Sequence, residues 1–275
     1  MNLPYDEDYL RELELWPFFE LQQRSLQASG VLSSPSVKSV PHADIPVAVR
    51  KTTSSRPEGH AAFSKPSVAP AVSGFVVADP DRAARIAQLD WDGLKGEAAA
   101  CRACKLCEKR QQAVLGVGAL NAPWLFVGEG PGAEEDDLGE PFVGPAGKLL
   151  DAMLAAAGLQ RGREVYIANV VKCRPPGNRN PSPEETLACA PLLDRQIDLI
   201  QPKLIVALGK IALTRLTGSD ASVVSMRGKR LEYRGIPVVA TYHPAYLLRT
   251  LPDKLKAWED LMMAKKVMAA VSGPP

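Results

Sequence analysis

Four short runs of this chain, Trp124–Val127, Val165–Val171, Leu204–Leu208 and Pro237–Thr241, are apolar at nearly every position. That pattern belongs to strands buried on both faces of a parallel sheet, because covered strands have no solvent side to alternate with. Between them the apolar positions recur at helical spacing, in Gly147–Ala157, Pro183–Leu199 and Lys210–Leu216. A last helix falls within Pro252–Ala269. Strand, helix, strand in this rhythm predicts an α/β fold: a three-layer α/β/α arrangement around a central, mostly parallel, four-stranded sheet. The chain shows no internal repeat.

The texture is different before residue 81. Residues 31–80 hold seven prolines, nine serines and two aromatics, Phe63 and Phe75, with no sustained period. Such a stretch buries too little apolar surface to offset chain entropy, so it reads as a disordered Pro/Ser-rich linker. Residues 1–30 form a separate short helical segment, apolar-spaced from Tyr9 to Phe19 and flanked by acidic side chains. A helix of that kind can dock on a partner. Residues 81–275 are the globular domain.

Charge and cysteine content narrow the function classes. The chain has 275 residues and a formal net charge of +2. Residues 1–90 carry 9 basic and 11 acidic side chains, which leaves the surplus of positive charge on the globular part. This permits a polyanionic partner without demanding one. No apolar run approaches the ~20 residues that cross a bilayer. The N-terminus opens with Asp6, Glu7 and Asp8 rather than the basic start of a signal peptide. The expectation is a soluble cytoplasmic protein with no membrane partner. Its five cysteines are an odd number without an export signal, which favours metal ligands or free thiols over disulfides.

The unusual residues follow the strands. Gly128–Gly132 follows the first run, Cys173–Asn178 the second, and Tyr242, His243 and Pro244 the fourth. Open parallel sheets bind ligands beyond the carboxyl ends of their strands, so these loops converge on one rim. The glycine loop is neither a dinucleotide fingerprint nor a P-loop. It is followed by Glu134, Glu135, Asp136 and Asp137, carboxylates able to position water or stabilise positive charge on a sugar. Pro244 restricts the backbone of His243 and helps aim its ring. Asn169 is a polar amide inside an apolar strand, and its paired donor and acceptor suit the edge of a nucleobase. Cys101-x2-Cys104-x2-Cys107 lacks the fourth cysteine of a ferredoxin run. Completed by Cys173 and Cys189 it makes a four-thiolate site for [4Fe–4S] or zinc, with one of the first three cysteines surplus and spacing unable to choose which.

In this order the motifs resemble the family 4 uracil-DNA glycosylases, the iron–sulfur branch of their superfamily. The resemblance rests on CRACKLCEKR, GEGPGAEEDDLGEPFVGPAGKLLDAML, VYIANVVKCRPPGNRNPSPEE and MRGKRLEYRGIPVVATYHPAYLLR, and spans roughly residues 97–265. It implies a [4Fe–4S] cluster on Cys101, Cys104, Cys173 and Cys189, with Cys107 surplus. It also implies hydrolysis of the N-glycosidic bond of deoxyuridine in DNA, monofunctionally, as the first step of base excision repair. The flipped base would stack on Phe142, and Asn169 would read its O4/N3 edge. His243 would donate to O2, while Glu129 and Gly130 line the pocket. Leu247, Leu248 and Arg249 would wedge into the duplex. Arg174, Arg179, Arg227, Lys229 and Arg230 would meet phosphates. The best-known branch places an aspartate at the position held here by Gly130, so this chain uses another group, with Glu135 and then Asn178 as the candidates, or relies mainly on stabilising the leaving group. Glu129 is counted with His243 among the catalytic residues.

The expected partner is uracil-containing DNA, single- or double-stranded, met by a monomer on the nucleoid. The N-terminal segment is expected to tether a repair or replication protein. The main alternative is a non-catalytic, cluster-stabilised module that binds single-stranded or damaged DNA; a zinc-stabilised interaction domain is another. A covalent DNA-trapping relative is disfavoured, because only Leu138–Pro141 separates Asp137 from Phe142 and contains no histidine.

Overall fold

The computed structural model describes residues 80–272. The N-terminal segment 1–30 and all of the linker but its last residue lie outside the described residues. Two helices open the described part, α1 (Pro80–Ile86) and α2 (Trp91–Ala100), followed by a short antiparallel strand β1 (Val117–Gly118). Then come β2 (Trp124–Gly128), α3 (Ala133–Leu138), α4 (Pro145–Ala156), β3 (Val165–Asn169) and α5 (Pro183–Ile200). The remainder is β4 (Leu204–Leu208), α6 (Lys210–Thr217), α7 (Val223–Met226), β5 (Leu231–Tyr233), β6 (Ile236–Thr241), α8 (Pro244–Leu247) and α9 (Lys254–Ser272).

All four predicted strands are present and parallel, in the order β3-β2-β4-β6. The sheet is completed to six strands by antiparallel edges, β1 on β3 and β5 on β6. Neither edge was legible in the pattern: β1 has two residues, and β5 is a three-residue arm of a hairpin. Every residue of β2, β3 and β4 is buried. Side chains alternate between the two faces, as the strand period requires. Leu125 and Val127 join Leu94, Leu192 and Leu213 on one side. Trp124 and Phe126 join Leu150, Leu154 and Leu261 on the other. The two apolar clusters are the two interfaces of an α/β/α stack.

Local chemistry sets the helix starts. Ser182 caps α5 by accepting from the Glu185 N–H, Glu185 answers through the Ser182 N–H, and Pro183 occupies the first turn, where its missing donor is harmless. From β2 the chain steps to β3 on one side, then crosses back over β2 to β4 on the other. The carboxyl ends of β2, β3 and β4 therefore surround a switch point, the place where open α/β sheets hold ligands.

Candidate active site

Gly128 ends β2 directly opposite Asn169, the last residue of β3. Asn169 is 1% exposed, and its side-chain oxygen Oδ1 has no hydrogen-bond partner. A Cβ on Gly128 would fall 2.4 Å from that oxygen and 2.6 Å from Cζ of Phe142. The bare backbone at 128 thus lets the amide and the aromatic ring share one small space. An unsatisfied buried acceptor costs about 1–3 kcal/mol, so it marks a place where a ligand's donor would be rewarded.

Phe142 is held by its backbone. Its φ is +56°, a left-handed value rare for a bulky residue. Three features maintain it. Glu135 accepts from the N–H groups of Gly132, Val143 and Gly144, each at 3.0 Å. Arg161 donates to the carbonyls of Pro141 and Phe142, both at 2.8 Å. Gly147 supplies the room: a Cβ there would lie 1.8 Å from the Phe142 carbonyl oxygen. Strain over-determined in this way is characteristic of functional positions.

His243 leaves β6 and caps α8, its Nδ1 accepting from the Ala245 N–H at 3.1 Å. The proton of the neutral ring therefore sits on Nε2, which is left as a donor. The ring stacks on Phe142 with centroids 5.5 Å apart. Burial, reinforced by the Arg249 charge and opposed by Glu135, lowers its pKa to about 4. The imidazole is accordingly neutral near pH 7. Phe142 thus lies beside both Asn169, at the end of β3, and His243, just after β6.

The other expected residues divide. Glu129 is half-buried, burial raises its pKa, and no hydrogen bond or ion pair engages its carboxylate among the described residues. Gly130 follows it in the same loop, and a Cβ there would press on Val171 at 2.8 Å. Glu135, expected as a water-handling group, has both oxygens committed to backbone amides and clips the Phe142 loop. Asn178 is exposed and accepts from Arg174 at 2.8 Å, which ties both side chains to each other rather than to His243 or Asn169. Asp136, from the same acidic run, is buried and accepts from the Gln111 N–H.

The wedge needs a correction. Leu247 is 0% exposed and packs in the core, where it lines a small cavity with Leu149, Met153, Trp258 and Leu261. Its side chain is turned inward against α4 and α9 and is not presented to DNA. Leu248 is 42% exposed, as Tyr246 and Leu251 are exposed, and Arg249 is exposed with no ion pair among the described residues. Arg227 and Arg179, expected on phosphates, are paired internally with Asp260 and Glu185. Lys229 and Arg230 stay exposed.

Beyond Asn169 the chain turns into a second site. Cys101, Cys104, Cys107, Cys173 and Cys189 line one cavity with Ala98, Arg110, Lys172 and Leu192. Arg110 donates to Cys173 Sγ at 2.9 Å, and Arg82 to Cys101 Sγ at 3.3 Å. Burial pushes the Cys189 thiol up to about 12 and raises Cys104 and Cys173 as well. Among the described residues no three His, Cys, Asp or Glu side chains converge as a single metal ion requires. The donor set lining the cavity is all sulfur, soft, and flanked by cations.

Four residues important to these sites escaped the sequence reading: Arg161, Gly147, Arg110 and Lys172. Only Lys172 carried a signal, as a charged residue at the end of an apolar run beside a cysteine. Arg161 and Gly147 act through contacts with a backbone carbonyl, which no spacing announces.

A family model described as the uracil DNA glycosylase superfamily matches residues 115–262. The chain is 47% identical over 169 residues to a type-4 uracil-DNA glycosylase of Thermotoga maritima, covering 60% of this chain and 88% of that one. It is 47% identical over 176 residues to the type-4 uracil-DNA glycosylase of Sulfurisphaera tokodaii, 61% of this chain and 79% of that one. With the type-4 uracil-DNA glycosylase of Archaeoglobus fulgidus it shares 46% over 165 residues, 57% of this chain and 82% of that one.

Proposed function

The chain belongs to the uracil DNA glycosylase superfamily, and from that premise we propose how its own residues release uracil from DNA. The enzyme is a uracil-DNA glycosylase of type-4 kind: it hydrolyses the N-glycosidic bond of deoxyuridine in DNA, frees uracil and leaves an abasic site. The target atom is shielded inside a duplex, so the nucleotide swings out into the space around Phe142. Stacking on the Phe142 ring contributes roughly 1–3 kcal/mol for such a base.

The observation that carries the reading is the orphaned Oδ1 of Asn169 beside Phe142. Uracil offers an N3–H donor to that oxygen and an O4 acceptor to the amide NH2. Cytosine reverses both groups and would leave two buried polar atoms unpaired, a large penalty in a closed site. As the N1–C1′ bond breaks, its electron pair passes to the leaving base and charge gathers on O2. The neutral His243 donates its Nε2–H there, which stabilises the transition state more than the ground state. Water adds its oxygen to C1′ and gives up a proton. Among Glu129, Glu135 and Asn178, Glu129 is the group free to take it, and its raised pKa brings it nearer the working pH of a base. Glu135 serves by holding the Phe142 loop.

We infer that Cys101, Cys104, Cys173 and Cys189 hold a [4Fe–4S] cluster. An all-thiol cavity fits a cluster, which spreads its thiolates over separate irons, better than it fits one tetrahedral zinc. When bound, it would cross-link the 101–107 segment, the loop after β3 and helix α5. Leu248, Arg249, Lys229 and Arg230 are the exposed groups available to DNA. No described helix is long and apolar enough to cross a membrane. The same reading has a monomer working on the nucleoid in the cytoplasm, with residues 1–30 available to a repair or replication protein.

The test is a labelled oligonucleotide carrying one uracil, treated with protein and then alkali. Breakage at uracil, with a thymine control intact and Asn169→Ala inactive, is the expected result. An iron-loaded wild type that leaves the uracil strand whole would return the chain to the binding-module reading.

A further inference from the structure

We propose that Lys172 is a positioning residue that ties the cysteine cavity to Asn169, so that what fills the cavity helps set where the base-reading amide stands. The proposal rests on the reading of Asn169 given above. Lys172 lies between the two sites and bonds to both. Its Nζ donates to the backbone carbonyl of Asn169 at 2.6 Å, and its own N–H donates to Cys189 Sγ at 3.3 Å. Its carbonyl accepts from the Val114 N–H at 2.8 Å, which fixes the main chain between those contacts. The side chain is 1% exposed and forms part of the cavity wall.

The ammonium is placed where a cation is unfavourable. It has three donors, and the Asn169 carbonyl is the one acceptor described for them. No carboxylate forms an ion pair with it among the described residues. A buried charge needs a counter-charge. The nearest groups able to become negative are the sulfurs of Cys189 and Cys173, neutral thiols until a metal binds them, with Asp194 beyond and Arg215 opposing. Asp194 is already engaged by Arg215 and by Tyr233. Metal-bound cysteines are thiolates, so a filled cavity supplies the anion that holds Lys172, and Lys172 holds the end of β3. β3 finishes at Asn169, the N–H groups of Val170 and Val171 still reach the carbonyls of Gly128 and Glu129, and the Lys172 ammonium engages the Asn169 carbonyl itself.

The experiment compares wild type, Lys172→Met, Asn169→Ala and the double variant as iron-loaded proteins. Three quantities are read: iron and visible absorbance per chain, calorimetric binding of free uracil, and binding of uracil-free duplex. Lys172→Met should keep its iron and its affinity for uracil-free duplex. It should lose uracil affinity and single-turnover excision by roughly 10–100-fold, the range for residues that orient a site from behind. In the Asn169→Ala background the same change should add less than about twofold, since the two act as one unit. Uracil binding equal to wild type, additive losses, or an equal loss on uracil-free duplex would overturn the tie. Should Lys172→Met purify without iron, wild type stripped of iron by a chelator replaces it: a 10–100-fold loss of uracil affinity supports the tie, and unchanged affinity ends it. A wild type that neither excises nor binds uracil sinks the glycosylase reading along with the proposal. Wild-type excision matched by Lys172→Met sinks the proposal alone.

Discussion

Asn169 and Cys173 are separated by three residues, yet one faces Phe142 and the other faces four more thiols. The base site is rigid before any ligand arrives. Its aromatic residue is locked at an unfavourable φ by Glu135, Arg161 and Gly147, and its histidine is locked by a helix cap. The cysteine cavity is the reverse: burial raises the pKa of the Cys104, Cys173 and Cys189 thiols, and cations wait around them. The first place is preorganised by folding, and the second is organised for something that folding does not supply. Rigid polar sites discriminate because a wrong ligand leaves atoms unpaired; soft thiol sites contribute stability when a metal joins their segments.

The largest effect should come from the preorganised side. His243→Ala should lower kcat about 10²–10³-fold, the usual consequence of losing one donor to a developing anion, with duplex affinity unchanged. A loss seen only in KM would mean that His243 binds and does not stabilise the leaving base. Next, Gly147→Ala should cost roughly 10²-fold in kcat/KM, since the new methyl drives the Phe142 carbonyl from its place. Near-normal activity would show that the loop is not held as rigidly as the comparison requires.

The soft side is sharpened by iron. Cys189→Ser should lose iron, and Cys107→Ser should keep it, by direct iron assay of the purified proteins. Activity of Cys189→Ser should fall about 10–100-fold through disordered support of the site. Equal iron loss in both variants would place Cys107 among the ligands.

Acid offers a smaller effect with a definite sign. His243 has a folded pKa of about 4, below its ordinary 6.5, and protonating Nδ1 would break the cap on Ala245. Between those values the unfolded chain binds a proton that the folded chain refuses. This contribution to stability is therefore full above pH 6.5 and is lost as the pH falls towards 4. Melting temperature against pH should show a shallower acid fall for His243→Gln than for wild type. The smallest change is Leu248→Ala, which should reduce excision from duplex about fivefold, equivalent to roughly 1 kcal/mol of apolar contact, while sparing single strands. Equal loss on both substrates would take Leu248 out of the wedge.

Much of this was open to reading in the chain. Buried parallel strands advertise themselves as unbroken apolar runs, so β2, β3, β4 and β6 were found within two residues at either end. Asn169 and His243 stood out as polar groups at strand ends, where the topology puts ligands. The acidic run did not declare its division of labour, because a carboxylate that caps amides and one that faces a site look alike in one dimension. Leu247 and Leu248 are likewise identical in type, and the turn of α8 sends one into the core and the other towards solvent.

The sequence by itself determined the layered α/β fold, the rim on which the chemistry stands and the all-cysteine character of the second site. These follow from periodicity and residue type, which are properties of neighbours along the chain; the family came from the resemblance of its motifs. Tertiary structure alone decided that Glu135 is a clip, that Gly147 makes room for Phe142, that Arg161 holds the loop and that Lys172 spans the two sites. Each of these depends on a side chain, or the lack of one, meeting a backbone group, and backbone groups are the same at every position. Only the folded path says which of them come within reach.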